Sequence, residues 1–266
     1  MDDLSKQHLE WLKAQNDRAA NTISARARVL RSIGDAGTAT RERLDQWWQS
    51  RAHLAPATRV ADLSGLREFY KWCLMYDHIE KDPSLRLRAP RIQPPVIDDR
   101  HSDEEIREVA DQLPMYLRRA VYLGAFAGLR ISESARLDWS EVNSSEDTIR
   151  VVNSKGGKTR VVPVSPQLIM LLAVGVRERT GSVLTGGGEQ YSPEQLQRKM
   201  NRALRAAGAD FTTHDLRHRF GIAAYRSSQD ILAVGEMMGH SDVNTTKIYA
   251  SADSEVKRKI AASVMW

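Results

Sequence analysis

The sequence predicts a mainly α protein in two domains, with one small β-sheet in the second. Three observations carry that expectation. Apolar residues recur at helical spacing through most of the chain. A proline-bearing stretch, 82–100, then breaks the periodicity. Beyond it, the segment Thr148–Val164 sets two β-branched runs on either side of Gly156 and Gly157, which signals a hairpin.

The expected first domain, 1–88, is helical throughout. Leu4–Gln15 places Leu4, His8, Leu9, Trp11 and Leu12 near helical spacing, and Asn21–Ile33 repeats the pattern through Ile23, Ala27, Leu30 and Ile33. Gly34 and Gly37 supply a stop. Thr40 caps a third helix containing Leu44, Trp47 and Trp48. Pro56–His78 forms the longest, with Val60, Leu63, Leu66, Phe69, Tyr70, Trp72, Cys73 and Met75 on its apolar face. Together these predict a bundle of four or five helices. Trp47, Phe69, Tyr70 and Trp72 fall at core spacing rather than forming a platform for stacking bases. Arg26, Arg28, Arg41, Arg43 and Arg59 lie off that face, where phosphate contact and simple solvated charge are both open readings.

Residues 89–100 read as an extended linker, because Pro90, Pro94 and Pro95 remove amide donors and fix backbone angles. Arg86, Arg88, Arg91 and Arg100 suit a strap along a phosphate backbone. The second domain, 101–266, opens on a capping box, Ser102 to Glu105. An apolar helix over Pro114–Ala127 precedes the hairpin. Helices are expected after it at Ser165–Arg179, Pro193–Ala207, His214–Arg226, Asp230–Met238 and Val243–Tyr249, followed by a tail, 254–266.

Bulk properties narrow the function classes. The 266 residues are 41% hydrophobic and 27% charged, ordinary for a globular protein, and no apolar run is long enough for a membrane span. The first residues carry no secretory signal, and a lone cysteine, Cys73, excludes an internal disulfide and a cysteine-built metal cage. The expected compartment is cytoplasmic. A net charge of +5 leans towards polyanions without specifying chemistry. No Walker-type glycine loop or magnesium-binding acidic cluster occurs, so no cofactor and no metal are expected. His214 and His218 stand at zinc-compatible spacing, but with no glutamate beside His214 a zinc site is not expected.

Four separated pieces carry the chemistry. They are Gly128-Leu-Arg130-Ile-Ser-Glu133, Lys155-Gly-Gly-Lys158, His214-Asp-Leu-Arg217-His218, and Met238-Gly-His240 with Tyr249 nine residues on. Each alone is a common surface feature. Together, in this order, they resemble the tyrosine recombinases, the family of phage integrases and Xer-type enzymes. The resemblance implies a helical, SAM-like core-binding domain that contacts DNA, followed by an α+β catalytic domain.

It also assigns roles. Tyr249 becomes the nucleophile of a 3′-phosphotyrosine intermediate. Arg130, Arg217 and His240 stabilise the phosphorane, which gathers negative charge that forked guanidiniums meet without a metal. A tyrosine hydroxyl, with a pKa near 10, needs a proton acceptor, and His214 is the candidate. Lys155 is the general acid for the departing 5′-oxygen, with Lys158 as its rival and otherwise a DNA contact. Glu133 braces Arg130 without touching DNA.

The implied partner is double-stranded DNA with paired half-sites. Self-association into a tetramer would run through the tail, whose Ile260, Val264 and Trp266 suit a neighbour's groove, and an accessory DNA-bending or directionality factor fits the same scheme. The expected activity is integration or excision of a mobile element. The alternatives are Xer-type dimer resolution, type IB topoisomerase-like relaxation, and a catalytically silent DNA-binding regulator.

Overall fold

Residues 1–15, 20–92, 101–152, 159–186 and 189–239 are described by the computed structural model. They fall into two units, Met1–Pro94 and Pro95–Trp266.

In the first unit, α1 (Asp3–Ala14), α2 (Ala20–Ile33), α3 (Arg41–Ser50) and α4 (Pro56–Met75) bury their apolar stripes against one another, with a 3-10 turn at Ala36–Thr38. The caps are those the composition favours. Asp2 accepts from the Ser5 amide at 2.8 Å, Thr40 accepts from the Arg43 amide at 3.3 Å, and Pro56 opens α4. Helix α4 ends at Met75, short of the expected His78, because Asp77 turns left-handed at φ 55°. Trp47, Phe69, Tyr70 and Trp72 are all core residues, and the Tyr70 hydroxyl donates to the Ala36 carbonyl at 2.8 Å. Burying side chains of this size contributes roughly 1.5–3 kcal/mol each.

The second unit is built around α6 (Met115–Ala127), which is buried along most of its length. It packs against α5 (Asp103–Asp111), α8 (Pro166–Ala173) and, most extensively, α10 (Thr213–Ser228), where Gly124 faces Leu216. The short α7 (Ile131–Ser134) packs on α9 (Pro193–Ala206), and α11 (Ile231–Met238) follows α10. Strands β1 (Val142–Asn143), β2 (Thr148–Val152) and β3 (Thr159–Pro163) form an antiparallel sheet in that order, with Ile149 opposite Val162 and Val151 opposite Arg160. Ile149, Val151 and Val162 point into the core while Arg150 and Val161 face out, the alternation of a one-sided sheet. A second antiparallel pair, β4 (Thr185–Gly186) and β5 (Glu189–Gln190), was not anticipated.

Two further local expectations are corrected in this unit. Helix α8 stops at Ala173 instead of Arg179, because Val174 leaves the helical region at ψ 125° and Gly175 takes φ 73°. The carbonyls released there are taken by the buried Arg119, whose Nε donates to Leu172 O at 2.8 Å and Nη2 to Val174 O at 2.9 Å. At α5, Ser102 accepts from the Glu105 amide at 3.1 Å, but the Glu105 carboxylate turns to His101 Nδ1 at 3.2 Å. Only the first half of the expected capping box is therefore formed. Among the described residues no helix is long and apolar enough to cross a membrane.

Candidate active site

Two helix ends create the site. Helix α6 closes on Gly128 at φ 64° and α11 on Gly239 at φ 65°, both in the left-handed region that glycine tolerates. A side chain at Gly128 would run into the Phe220 ring, and one at Gly239 would meet Arg160 Nη1 at 2.7 Å. The last carbonyls of such helices lack helical donors and carry the negative end of the dipole, so they suit cations. Arginines from three separate elements fill them. Arg217, on α10, donates through Nη1 to Gly128 O and through Nη2 to Met238 O at 2.5 Å. Arg130, just before α7, donates to Met238 O at 3.5 Å and Gly239 O at 3.2 Å. Arg160, on β3, donates through Nε to Met237 O at 2.7 Å.

One carboxylate joins the three. Glu133, with its side chain 5% exposed, accepts from the Arg130 amide at 2.8 Å and from Arg130 Nη1 at 2.9 Å. Its two oxygens also receive a forked pair from Arg160 Nη1 and Nη2, both at 2.9 Å, and Arg217 Nη1 lies 3.7 Å away. Burial alone would raise the Glu133 pKa, but the Arg160 and Arg130 hydrogen bonds and charges outweigh it and hold the carboxyl below its ordinary value. Three guanidiniums against one carboxylate leave a net of two positive charges. Arg217 is buried, while the Arg130 side chain is 41% exposed and open to a ligand.

His214 opens α10 one turn before Arg217. Thr212 caps the helix, accepting from the His214 amide at 3.2 Å and the Asp215 amide at 3.3 Å. The His214 and His218 rings meet edge to face with centroids 4.2 Å apart. The His214 pKa is lowered first by desolvation and then by the charges of Arg217 and Arg130, against an opposing pull from Asp215. His218 is lowered too, by desolvation and then by its neighbours His214 and Arg217, with Asp215 opposing. A neutral imidazole beside paired guanidiniums can accept a proton. Lys155, Lys158, His240 and Tyr249 lie outside the described residues, as do Arg100, the expected helix at 243–249 and the tail; in sequence, the two lysines fall between β2 and β3, and Gly239 directly precedes His240.

A family model for the phage integrase family matches residues 100–255, more than half of the chain. The chain belongs to the phage integrase family. Relatives of this tyrosine recombinase include tyrosine recombinase XerC of Xanthomonas campestris pv. campestris (strain B100), 32% identical over 226 residues, covering 80% of this chain and 69% of the relative. Tyrosine recombinase XerD of Pseudomonas aeruginosa is 30% identical over 225 residues, covering 78% and 73%. Among solved structures, a lambda integrase (75–356) dimer bound to a COC′ core site matches with a TM-score of 0.77 at 16% identity, over 96% of both chains. The XerH site-specific recombinase bound to difH matches at 0.68 and 18% identity, over 98% of this chain and 84% of that one. These two show the same mainly helical fold with a small sheet. The enzymatic class is that of the site-specific recombinases.

The recombinase's remaining candidates separate by what they touch. Arg26 is 16% exposed and held by Glu68 at 2.7 Å, and Arg43 donates to the Ile33 carbonyl at 3.1 Å. Arg59 stacks on Trp48 with its guanidinium carbon 4.5 Å from the ring centre. Arg28 is exposed and 3.9 Å from Asp62, while Arg41, Arg86, Arg88 and Arg91 are exposed on the surface of the first unit. Among the described residues one trio could offer metal ligands, His101, Glu105 and Asp210, with ligand atoms within 4.8 Å. Its histidine Nδ1 already faces both carboxylates, at 3.2 and 3.5 Å. Sequence reasoning missed Arg160 because an arginine alternating in a strand looks like an exposed position. Its partner across the ladder, Val151, is buried, and that pairing was the one signal that could have found it.

Proposed function

We propose that this chain cleaves and rejoins DNA one strand at a time through Tyr249, forming a 3′-phosphotyrosine link and a free 5′-hydroxyl, in the integration or excision of a mobile element. The observation that carries the reading is the convergence of Arg130 and Arg217 on shared acceptors, Glu133 and Met238 O, with His214 one turn away. A pair of fixed cations is what a phosphodiester requires as it becomes a more negative phosphorane. Arg130 offers its exposed edge to a non-bridging oxygen, and the buried Arg217 holds the pair's geometry and adds its charge. Neutral His214 receives the Tyr249 proton. Lys155 gives a proton to the departing 5′-oxygen, and His240 donates to the phosphate. Energy kept in the phosphotyrosine bond lets the strand be resealed without ATP.

The substrate is double-stranded DNA with paired half-sites, bound by both units. Protomers assemble on it as a tetramer through the tail, with an accessory bending or directionality factor acting on the assembly. The DNA-bound lambda integrase and XerH structures support a DNA partner, and the lambda integrase dimer supports self-association. Resolution of chromosome dimers is a second reading, favoured by the XerC and XerD relatives. Tyr249→Phe tests the nucleophile. On a nicked suicide duplex carrying the half-site, the wild-type chain gives a covalent adduct and the variant gives none while still binding. An adduct from the Phe variant would remove Tyr249 from the mechanism.

A further inference from the structure

We infer that Arg160 is a positioning residue for strand cleavage, acting through Glu133 to leave the charge of Arg130 and Arg217 available to the phosphate. The inference rests on the reading that these two arginines serve a phosphoryl transfer. Every polar atom of the Arg160 guanidinium is engaged: Nη1 and Nη2 on the two Glu133 oxygens, and Nε on Met237 O at 2.7 Å. With its side chain only 11% exposed, it is no phosphate ligand itself.

Its effect is electrostatic and geometric. Glu133 is the carboxylate that Arg130, Arg160 and Arg217 share. With Arg160 present, the carboxylate's charge is matched by a forked, short pair, and Arg130 needs to give it only one Nη. Without Arg160 the same charge would fall wholly on Arg130 and Arg217, and the net positive charge would drop from two to one. That loss is felt most where negative charge develops, in the transition state, and little in DNA binding spread over many phosphates. Geometry points the same way. Arg160 ties β3, which begins four residues after Lys155 in sequence, to the carbonyl two residues before Gly239, and its guanidinium packs on Gly239 itself, the residue before His240. One side chain therefore registers the start of β3, the Arg130 brace and the end of α11 against each other.

The test uses the full chain and a nicked suicide duplex built on a half-site that the wild-type chain selects from a random pool. Arg160→Gln is expected to slow single-turnover cleavage about 100-fold, the effect of a displacement on the order of 1 Å in a reacting site. Half-site affinity is expected to change by less than about 3-fold. Arg160→Lys keeps the charge but not the fork, and should recover about 10-fold of the rate, the worth of one charge-assisted hydrogen bond. Glu133→Gln combined with Arg160→Gln should lose no more than the worse single variant, since removing the carboxylate as well restores the net of two positive charges on Arg130 and Arg217. This double variant leaves no lone buried carboxylate, so it and Arg160→Lys carry the test even where Arg160→Gln folds poorly. Wild-type rates in Arg160→Gln, equal losses for Lys and Gln, or additive losses in the double variant would each overturn the inference. Absence of any adduct from the wild-type chain is a different result: it overturns the nucleophile reading, and this inference falls with it.

Discussion

Arg130 and Arg217 carry the same charge but sit in different surroundings, and substitution should separate them. Arg217 is 4% exposed and bonded to Gly128 O and Met238 O, so removing it leaves buried carbonyls and a carboxylate short of a donor. Breaking such a buried charged contact costs roughly 3–5 kcal/mol. Arg130 is 41% exposed, and the Glu133 carboxylate it would leave keeps its forked pair with Arg160, so its removal costs less. Arg217→Ala is therefore expected to lose both folding stability and cleavage, whereas Arg130→Ala loses cleavage with a near-normal melting curve. Chemical denaturation alongside single-turnover cleavage checks both. Equal stability of the two variants would mean that the burial of Arg217 has no energetic consequence. The sequence made these two arginines recognisable through their neighbours, Glu133 and His214, yet it could not distinguish a buried guanidinium from an exposed one. That difference depends on which helix ends meet them.

Among the elements, α1 holds an unusual packing residue. His8 is fully buried between Trp11, Phe69 and Trp72, and neither ring nitrogen has a hydrogen-bond partner among the described residues. Burial and the nearby Arg26 push its pKa down from 6.5 to about 4, against an opposing pull from Glu68. The folded value lies below the unfolded one, so the contribution is fully present above pH 6.5 and is lost as pH falls from 6.5 to 4. Across that window it amounts to ~3 kcal/mol. His8→Leu should consequently melt higher than wild type at pH 5, by a wider margin than at pH 7. A margin that does not change between the two pH values would contradict the assignment. Most helices were legible from periodicity and caps, as at Thr40 and Ser102, since those signals are local. The early end of α8 was legible only in Gly175; the Arg119 that takes the freed carbonyls lies 53 residues away in sequence from Leu172. Strands β4 and β5 were not legible, being too short to leave a pattern.

At the scale of the molecule, DNA affinity should divide the arginines by exposure. Replacing Arg88 or Arg41 with Ala removes a solvated charge, and where that charge pairs with a phosphate the slope of log affinity against log salt should fall by about 1. Arg26→Ala should instead lower stability, because it breaks the partly buried pair with Glu68. A changed salt slope for Arg26→Ala without a change in melting would reverse that division. Deleting 254–266 is expected to reduce cooperative binding to paired half-sites while sparing a single half-site, since Ile260, Val264 and Trp266 suit a protein groove better than a phosphate. A gel-shift titration on one and on two half-sites separates the effects. Unchanged cooperativity in the truncated chain would place the tail's contacts within its own protomer.

The arginines that meet at residues 237–239 also impose an order on the molecule's own assembly. Arg130 and its acceptor at Met238 are 108 residues apart in sequence, and contacts that close such long loops form late. The first unit needs none of them, and in synthesis from the ribosome the amino-terminal part folds first. A nascent chain thus acquires its helical bundle and surface arginines well before the paired guanidiniums exist. Under the proposed function, such a chain would meet nucleic acid before it could break it, and an unfinished copy would bind without nicking.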